Sequence, residues 1–355
     1  MTTSPEKFGR YIVHEQLATG GMSQIHLADV PSKDGSTRRV ALKRLLPQFA
    51  SNKEIRALFV EEGRVMRYLH HPNIPETYDS GRVDDTFYIA MQYVPGPTLK
   101  ELIHHVKDTV GSVPIPITVN ISSQLCEALE HAHNQKDEKR RPLDIIHRDI
   151  SPSNVIISDA GVVKLIDFGL AKVKGSSVNT DEGVIKGKFN YVAPEYLGGK
   201  LDARVDLWAI GVMMYEMFTG RRLFEASDDF ETLGRVRKMP IPRPSRANPE
   251  LGPDLDEIVM RALQRDPSLR WQTAGQMRDA LLGVTTLPEN FVDNERMLAW
   301  VAWVMMQPPG TSAKQAPSLV GKPPRKTKQS AVAPPPRPRR SSTRRNAVRD
   351  DKRDG

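Results

Sequence analysis

The chain has 355 residues, enough for one large bilobal domain or two smaller ones, and a hydrophobic share of 39% is modest for that length, so part of it is not packed. A single cysteine, Cys126, excludes an internal disulfide framework and fits a reducing compartment. The formal charge of +8 is unevenly spread: residues 308–355 hold thirteen Lys/Arg against three Asp, leaving 38 bases and 40 acids elsewhere, so the basicity belongs to a tail.

The opening MTTSPEKFGR contains no apolar stretch of the signal-peptide kind. Residues 11–45 alternate as strands do: YIVHEQLA, a TGGMS turn, QIHLADV, a polar PSKDGS turn, then RRVALKRLL. SNKEIRALFVEEGRVMRYLH has helical spacing, with Ser51 or Asn52 as its N-cap. ETYDSGRVDD and TFYIAMQYV then read as two more strands.

After PGPT the pattern turns helical, with expected helices at 98–106, 117–133, 205–219, 228–237, 254–264 and 273–281, and short strands at 144–157 and 162–167. Cys126 falls in the helical ISSQLCEALEHAH and reads as a small buried apolar residue. FVDNERMLAWVAWVMM (291–306) reads as a short helix packed on the preceding domain or on a partner, and its two tryptophans leave a homodimer contact open. Its apolar run MLAWVAWVMM has ten residues, where a bilayer-spanning helix needs about 18 or more. A cytoplasmic chain with no transmembrane segment is the expectation. A small β-rich part followed by a larger helical part is an α+β, two-lobed plan. From Pro308 the chain is rich in Pro, Ser, Lys and Arg without aromatics and should be disordered.

Four segments carry chemistry-bearing residues. LATGGMSQIHLA (17–28) is a turn between strands, and alone it fits a plain hairpin. VALK (40–43) ends a strand on Lys43. A lysine in an apolar strand needs an acidic partner or an anion, unless it snorkels to water. HRDISPSN (147–154) sets Asp149 and Asn154 five positions apart on a short loop. Two oxygen-bearing side chains there suit a hard cation that retains water, although SPSN is also ordinary turn chemistry. KLIDFG (164–169) is a strand that ends on Asp167 and turns at Gly169.

In this order and spacing the segments resemble protein kinases of the eukaryotic-like type found in bacteria, over about residues 10–282. YVAPE (191–195), DLWAIGV (206–212) and DPSLRW (266–271) fit the same pattern. The resemblance implies a bilobal kinase fold, with a β-rich N-lobe at 8–94 and a mainly helical C-lobe at 95–284, then a helical extension at 285–307 and a disordered Pro-rich basic tail at 308–355.

It also implies ATP and Mg²⁺ as cofactors and protein hydroxyls as substrates. Ala18, Gly20 and Ser23 stand where the family has three glycines, with Leu17, Ile25 and Ala41 around the nucleotide. Lys43 would meet the α- and β-phosphates, paired with Glu62 by spacing back from HHPNI, and Glu61 is its adjacent competitor. Asp149 would orient the substrate hydroxyl, and Asn154 and Asp167 would hold the metal. Met91 would stand behind the adenine, with the backbone from Gln92 to Val94 along its edge. Glu195 and Arg270 would form a buried ion pair, and Asp206 would anchor the catalytic loop.

Two departures matter. Ser151 stands where the family has a lysine, and Lys188 stands where it has a threonine, so the two chemical types are exchanged. Lys188 would then supply the ammonium and Ser151 the hydroxyl, against the simpler reading that Lys188 faces solvent. Ser153 occupies the place of an arginine typical of tyrosine kinases, which favours Ser/Thr acceptors. Arg148 would pair with a phosphorylated loop residue among Ser176, Ser177 and Thr180, with Thr180 the first candidate. The tail suits acidic partners or a membrane surface, and its lack of aromatics argues against specific single-strand nucleic-acid binding. The alternative to an enzyme is a nucleotide-binding scaffold of the same fold that does no chemistry.

Overall fold

The computed structural model describes residues 5–32, 34–168, 189–198, 200–285, 292–308, 317 and 319, all within one compact unit spanning Met1–Pro323. Its N-terminal part is a six-stranded antiparallel sheet of β1 (Glu6–Phe8), β2 (Tyr11–Thr19), β3 (Ser23–Pro31), β4 (Thr37–Leu45), β5 (Thr77–Val83) and β6 (Thr86–Gln92), in the order β1-β2-β3-β4-β6-β5. Strand periodicity of two sorts β4 into two faces. Val40 and Leu42 are buried with Ala28 and Ala90 on one face, and Ala41 and Lys43 fall on the other. That second face meets α1 (Lys53–Met66), where Leu45, Phe59, Ile89 and Met91 cluster. The N-cap of α1 is Asn52, whose side chain accepts the N–H groups of Glu54 and Ile55 at 3.0 and 3.1 Å.

The larger lobe contains α2 (Leu99–Thr109), α3 (Ile115–His133), α4 (Arg204–Thr219), α5 (Asp229–Lys238), α6 (Pro253–Ala262) and α7 (Ala274–Val284). A reciprocal Thr98–Glu101 capping box starts α2. Helix α4 is buried on every side from Val205 to Phe218, which makes it the axis of this lobe. Cys126 is buried in α3, and burial pushes its thiol pKa up, as expected of a packed residue. A hairpin of β7 (Val155–Ile157) and β8 (Val163–Leu165) lies between α3 and α4 in sequence, and α8 (Asn294–Met305) follows α7.

Two local expectations fail. Residues 144–154 are not strand: Asp144 and Arg148 have φ of 47° and 63°, and residues 152–154 form a 3₁₀ turn. Positive-φ residues and Pro152 cannot continue a ladder, so pairing begins only at Val155. The short β1, which pairs Phe8 with Tyr11 across Gly9, was not foreseen because three residues carry no period to read. Among the described residues no helix is long and apolar enough to cross a membrane.

Candidate functional site

Strand β4 brings Lys43 Nζ to 2.5 Å from Glu62 Oε1 and 3.4 Å from Asp167 Oδ1. Neighbours on a helix point about 100° apart, so Glu62 turns into the buried face of α1 while Glu61 pairs with Arg64 at the surface. Burial opposes the Lys43 charge, but the Glu62 and Asp167 carboxylates outweigh it and hold the ammonium pKa above its ordinary value. An ammonium has three donors. Two face these carboxylates, which leaves capacity for an anionic oxygen.

The loop before β7 is fixed from beneath by Asp206 near the start of α4. Its carboxylate accepts the N–H groups of His147 and Arg148 and contacts His133 Nε2, each at 2.9 Å. Burial alone would raise the Asp206 pKa, but His133 and these amides hold it below the usual carboxylate range. The same bonds secure Arg148 in its left-handed backbone conformation. Tyr196 Oη donates to the Arg148 carbonyl at 3.1 Å, closing the clamp from the other side.

His147 is wholly buried, and burial lowers its pKa. Its Nε2 lies 3.1 Å from the Ile166 carbonyl, and its Nδ1 accepts the Asp149 N–H at 3.3 Å. That pattern fits the neutral ring with the proton on Nε2. Its ring also packs on Phe168, with centroids 4.5 Å apart. Asn154 Nδ2 donates to Asp149 at both the carbonyl (2.7 Å) and Oδ2 (2.9 Å). These bonds orient the Asp149 carboxylate and leave Asn154 Oδ1 as an acceptor.

Strand β8 delivers Asp167, which has φ of 55°, and the Ile166 N–H donates to the Asn154 carbonyl at 2.9 Å. That bond ties the Asn154 loop to the backbone just before Asp167. Among the described residues no cluster of three or more His, Cys, Asp or Glu could enclose a metal by itself. Asn154 Oδ1 and the Asp167 carboxylate are the oxygen donors that Mg²⁺ takes, an ion that fills the rest of its shell with waters and phosphate oxygens.

The other residues that the resemblance put around the nucleotide lie on β2, β3, β4 and β6 or directly after them. Gly20 closes the β2–β3 turn with its N–H on the Ser23 carbonyl at 2.8 Å, and Ala18 pairs with Ile25 just inside it, next to Leu17. Ala41 pairs with Met91 in register, and both share the Lys43 face. Val94 is buried. Gln92 spends its N–H on the Glu76 carbonyl (2.8 Å) and its side-chain oxygen on Lys164 Nζ (2.9 Å). Ser151 is buried, and its Oγ has no partner among the described residues. Below the cleft, Glu195 and Arg270 form a bidentate pair at 2.6 and 2.7 Å, with Arg270 wholly buried. Gly169, Lys188, Ser176, Ser177 and Thr180 lie outside the described residues.

Sequence reasoning passed over Lys164, Tyr196 and His147. Lys164 is buried, and burial lowers its pKa. It interrupts the apolar run VVKLI just as Lys43 interrupts its own, so the signal was present. Nothing local marks Tyr196, whose partner is 48 positions away.

Residues 11–281 match the family model described as "Protein kinase domain". The chain is 35% identical over 277 residues to the "Tyrosine-protein kinase MasK" of Myxococcus xanthus, covering 78% of this chain and 43% of that one. It is 34% identical over 293 residues to the "Serine/threonine-protein kinase PknB" of Mycobacterium tuberculosis, covering 80% and 44%. The chain thus spans under half the length of these curated relatives. Among solved structures, the M. tuberculosis PknI kinase domain aligns with a TM-score of 0.61 at 27% identity, over 81% of this chain and all of that one.

Proposed function

The chain belongs to the protein kinase family, as do its bacterial relatives of the eukaryotic-like type, and we propose that it transfers the γ-phosphoryl group of ATP, with Mg²⁺, to serine or threonine hydroxyls of proteins. One observation carries this reading: Lys43, Glu62 and Asp167 converge, and Asn154, whose side chain holds Asp149, accepts the N–H of Ile166, the residue before Asp167. Lys43, steadied by Glu62, binds the α- and β-phosphates. Asp149 orients the acceptor hydroxyl in line with the γ-phosphorus and takes up its proton. Asn154 and Asp167 hold the metal, which when bound neutralises phosphate charge. The walls run from Leu17, Ala18, Gly20, Ser23 and Ile25 to Ala41, Met91, Gln92 and Val94.

Within the same reading, Lys188 supplies the ammonium that Ser151 cannot. Thr180 is autophosphorylated, its phosphate then pairing with Arg148, and a transient homodimer brings one copy's loop to the other's site. The tail meets acidic partners or a membrane surface.

The experiment is phosphate transfer from labelled ATP and Mg²⁺ to a generic protein substrate, with Asp149→Asn as control and phosphoamino-acid analysis of the product. Phosphoserine or phosphothreonine that vanishes in the control supports the proposal. Phosphotyrosine would favour a second reading, a kinase for tyrosine hydroxyls, which is how the Myxococcus relative is named. ATP binding without transfer under any of these conditions would leave the inert scaffold.

A further inference from the structure

Residues 292–308 lie beyond the stretch the family model matches, yet Val292, Met297, Trp300, Val301 and Val304 are each at most 3% exposed. The apolar residues of α8 recur at i, i+3, i+4 and i+7, which is one helical face, and this face is fully covered. The N-terminus of the helix rests on the β7–β8 turn at Gly161, which has φ of 69° and where a Cβ would fall 2.1 Å from the Asn294 carbonyl oxygen. Only glycine permits that conformation and that approach together.

Beside this contact runs a set of amide bonds. Asn120 Nδ2 donates to the Val292 carbonyl at 2.7 Å. Gln124 Nε2 donates to Asn120 Oδ1 at 2.6 Å and to Asn294 Oδ1 at 3.2 Å. Gln124 Oε1 accepts Asn73 Nδ2 at 2.8 Å and the Val163 N–H of β8 at 3.0 Å. A primary amide has two donors and two acceptor sites, so Gln124 is saturated. The Val163 N–H can only donate, which fixes which end of the Gln124 amide is oxygen. Asn73 in turn accepts the Leu165 N–H at 2.8 Å, two residues before Asp167.

We propose that α8 is a positioning element of the phosphotransfer unit: docked, it completes the bonding of Gln124 and so holds β8, and with it Asp167, in register. The catalytic consequence rests on the reading of Asp167 as a metal-holding group, whereas the mechanical one does not.

The test uses the full chain carrying Val304→Asp, which places a charge on the buried face of α8 at a position outside the proposed site residues. Hydrogen exchange at the Val163 and Leu165 amides is read without ATP, against α4 amides as the internal reference. Release of β8 should speed exchange at both by about tenfold or more with α4 unchanged. With MgATP, KM should rise about fivefold, the worth of roughly one lost hydrogen bond, with a smaller change in kcat. If melting falls while exchange at Val163 and Leu165 keeps its ratio to α4, α8 is only a cover and the proposal is overturned. Should Val304→Asp not fold, Asn294→Ala removes one Gln124 partner and leaves the apolar face intact; faster exchange at Val163 then supports the coupling, and unchanged exchange overturns it. Absence of phosphate transfer alongside the expected exchange would count against the proposed function and leave this coupling standing.

Discussion

Asp206 holds the Arg148 N–H at 2.9 Å while Arg148 sits in a left-handed conformation one residue before Asp149. The carboxylate offers an acceptor to each of two adjacent amides, which an asparagine cannot do. Asp206→Asn would leave one buried amide facing an NH₂ group and remove the charge that His133 meets. Breaking a buried polar cluster on one side costs about 3 kcal/mol. Urea denaturation should show a loss of that order, and phosphate transfer at a temperature where the variant is folded should still be reduced, because the Asp149 backbone is no longer clamped.

Lys43 and Glu62 make a different kind of pair, because Glu62 can take a proton once its partner is gone. In Lys43→Met, buried Glu62 loses the ammonium and its pKa rises further through desolvation. A raised carboxyl pKa stabilises the folded chain at low pH, and that contribution is lost as pH rises through the folded value. The stability gap between wild type and Lys43→Met, followed by denaturant melts, should widen from pH 5 to pH 8. Under the proposed role of Lys43 at the α- and β-phosphates, phosphate transfer should fall by about 100-fold or more. A gap that stays constant across this range would mean Glu62 is solvated.

How far the sequence could be read depended on whether a residue's partner was implied nearby. A lone lysine in the apolar VALK called for an acidic partner or an anion, and the kinase resemblance, spaced back from HHPNI, pointed to Glu62 with Glu61 beside it; the helix face that buries Phe59 and Val65 also buries Glu62. The apolar spacing of Met297, Trp300, Val301 and Val304 announced a one-faced helix, although not what it would cover. The 144–154 stretch misled because its apolar residues, Ile145, Ile146 and Ile150, mimic a strand while Asp206, 58 positions beyond Arg148, bends the backbone out of the ladder. Gln124 drew no attention because an amide in a helix has no local signature; its four partners come from four separate parts of the chain.

Ser151 has a buried hydroxyl with no partner among the described residues, so Ser151→Ala should leave stability within about 0.5 kcal/mol of wild type, unlike most buried polar deletions. The proposed exchange with Lys188 makes a sharper claim about rate. Lys188→Thr should lower kcat by about 10- to 100-fold through loss of a charge near the transferred group. Adding Ser151→Lys to it should restore much of that loss. Single and double variants form a cycle, and purely additive effects on kcat would refute the exchange.

Four described histidines, His26, His71, His131 and His147, have their pKa lowered first by burial and set the acid side of the stability profile. His71 packs at a tilt of 34° against His131 with centroids 5.0 Å apart, and its Nδ1 accepts the Asn73 N–H at 3.2 Å. Burial, then the neighbouring His131 and Lys164 charges, lower the His71 pKa to about 4, and burial also lowers His131 and His147. A free histidine titrates near 6.5, so between about 6.5 and 4 the unfolded chain binds protons that the folded one refuses. Stability is therefore full above about pH 6.5 and falls as pH drops toward 4. Asp206, with its pKa held below the carboxylate range, adds its own loss only at lower pH. Thermal melts from pH 8 to pH 4.5 should show Tm level down to about 6.5 and then declining by several degrees. His71→Gln keeps an acceptor for the Asn73 N–H without a titrating ring, so it should flatten the decline. A variant that loses stability as steeply as wild type would shift the effect from this pair to His26 and His147.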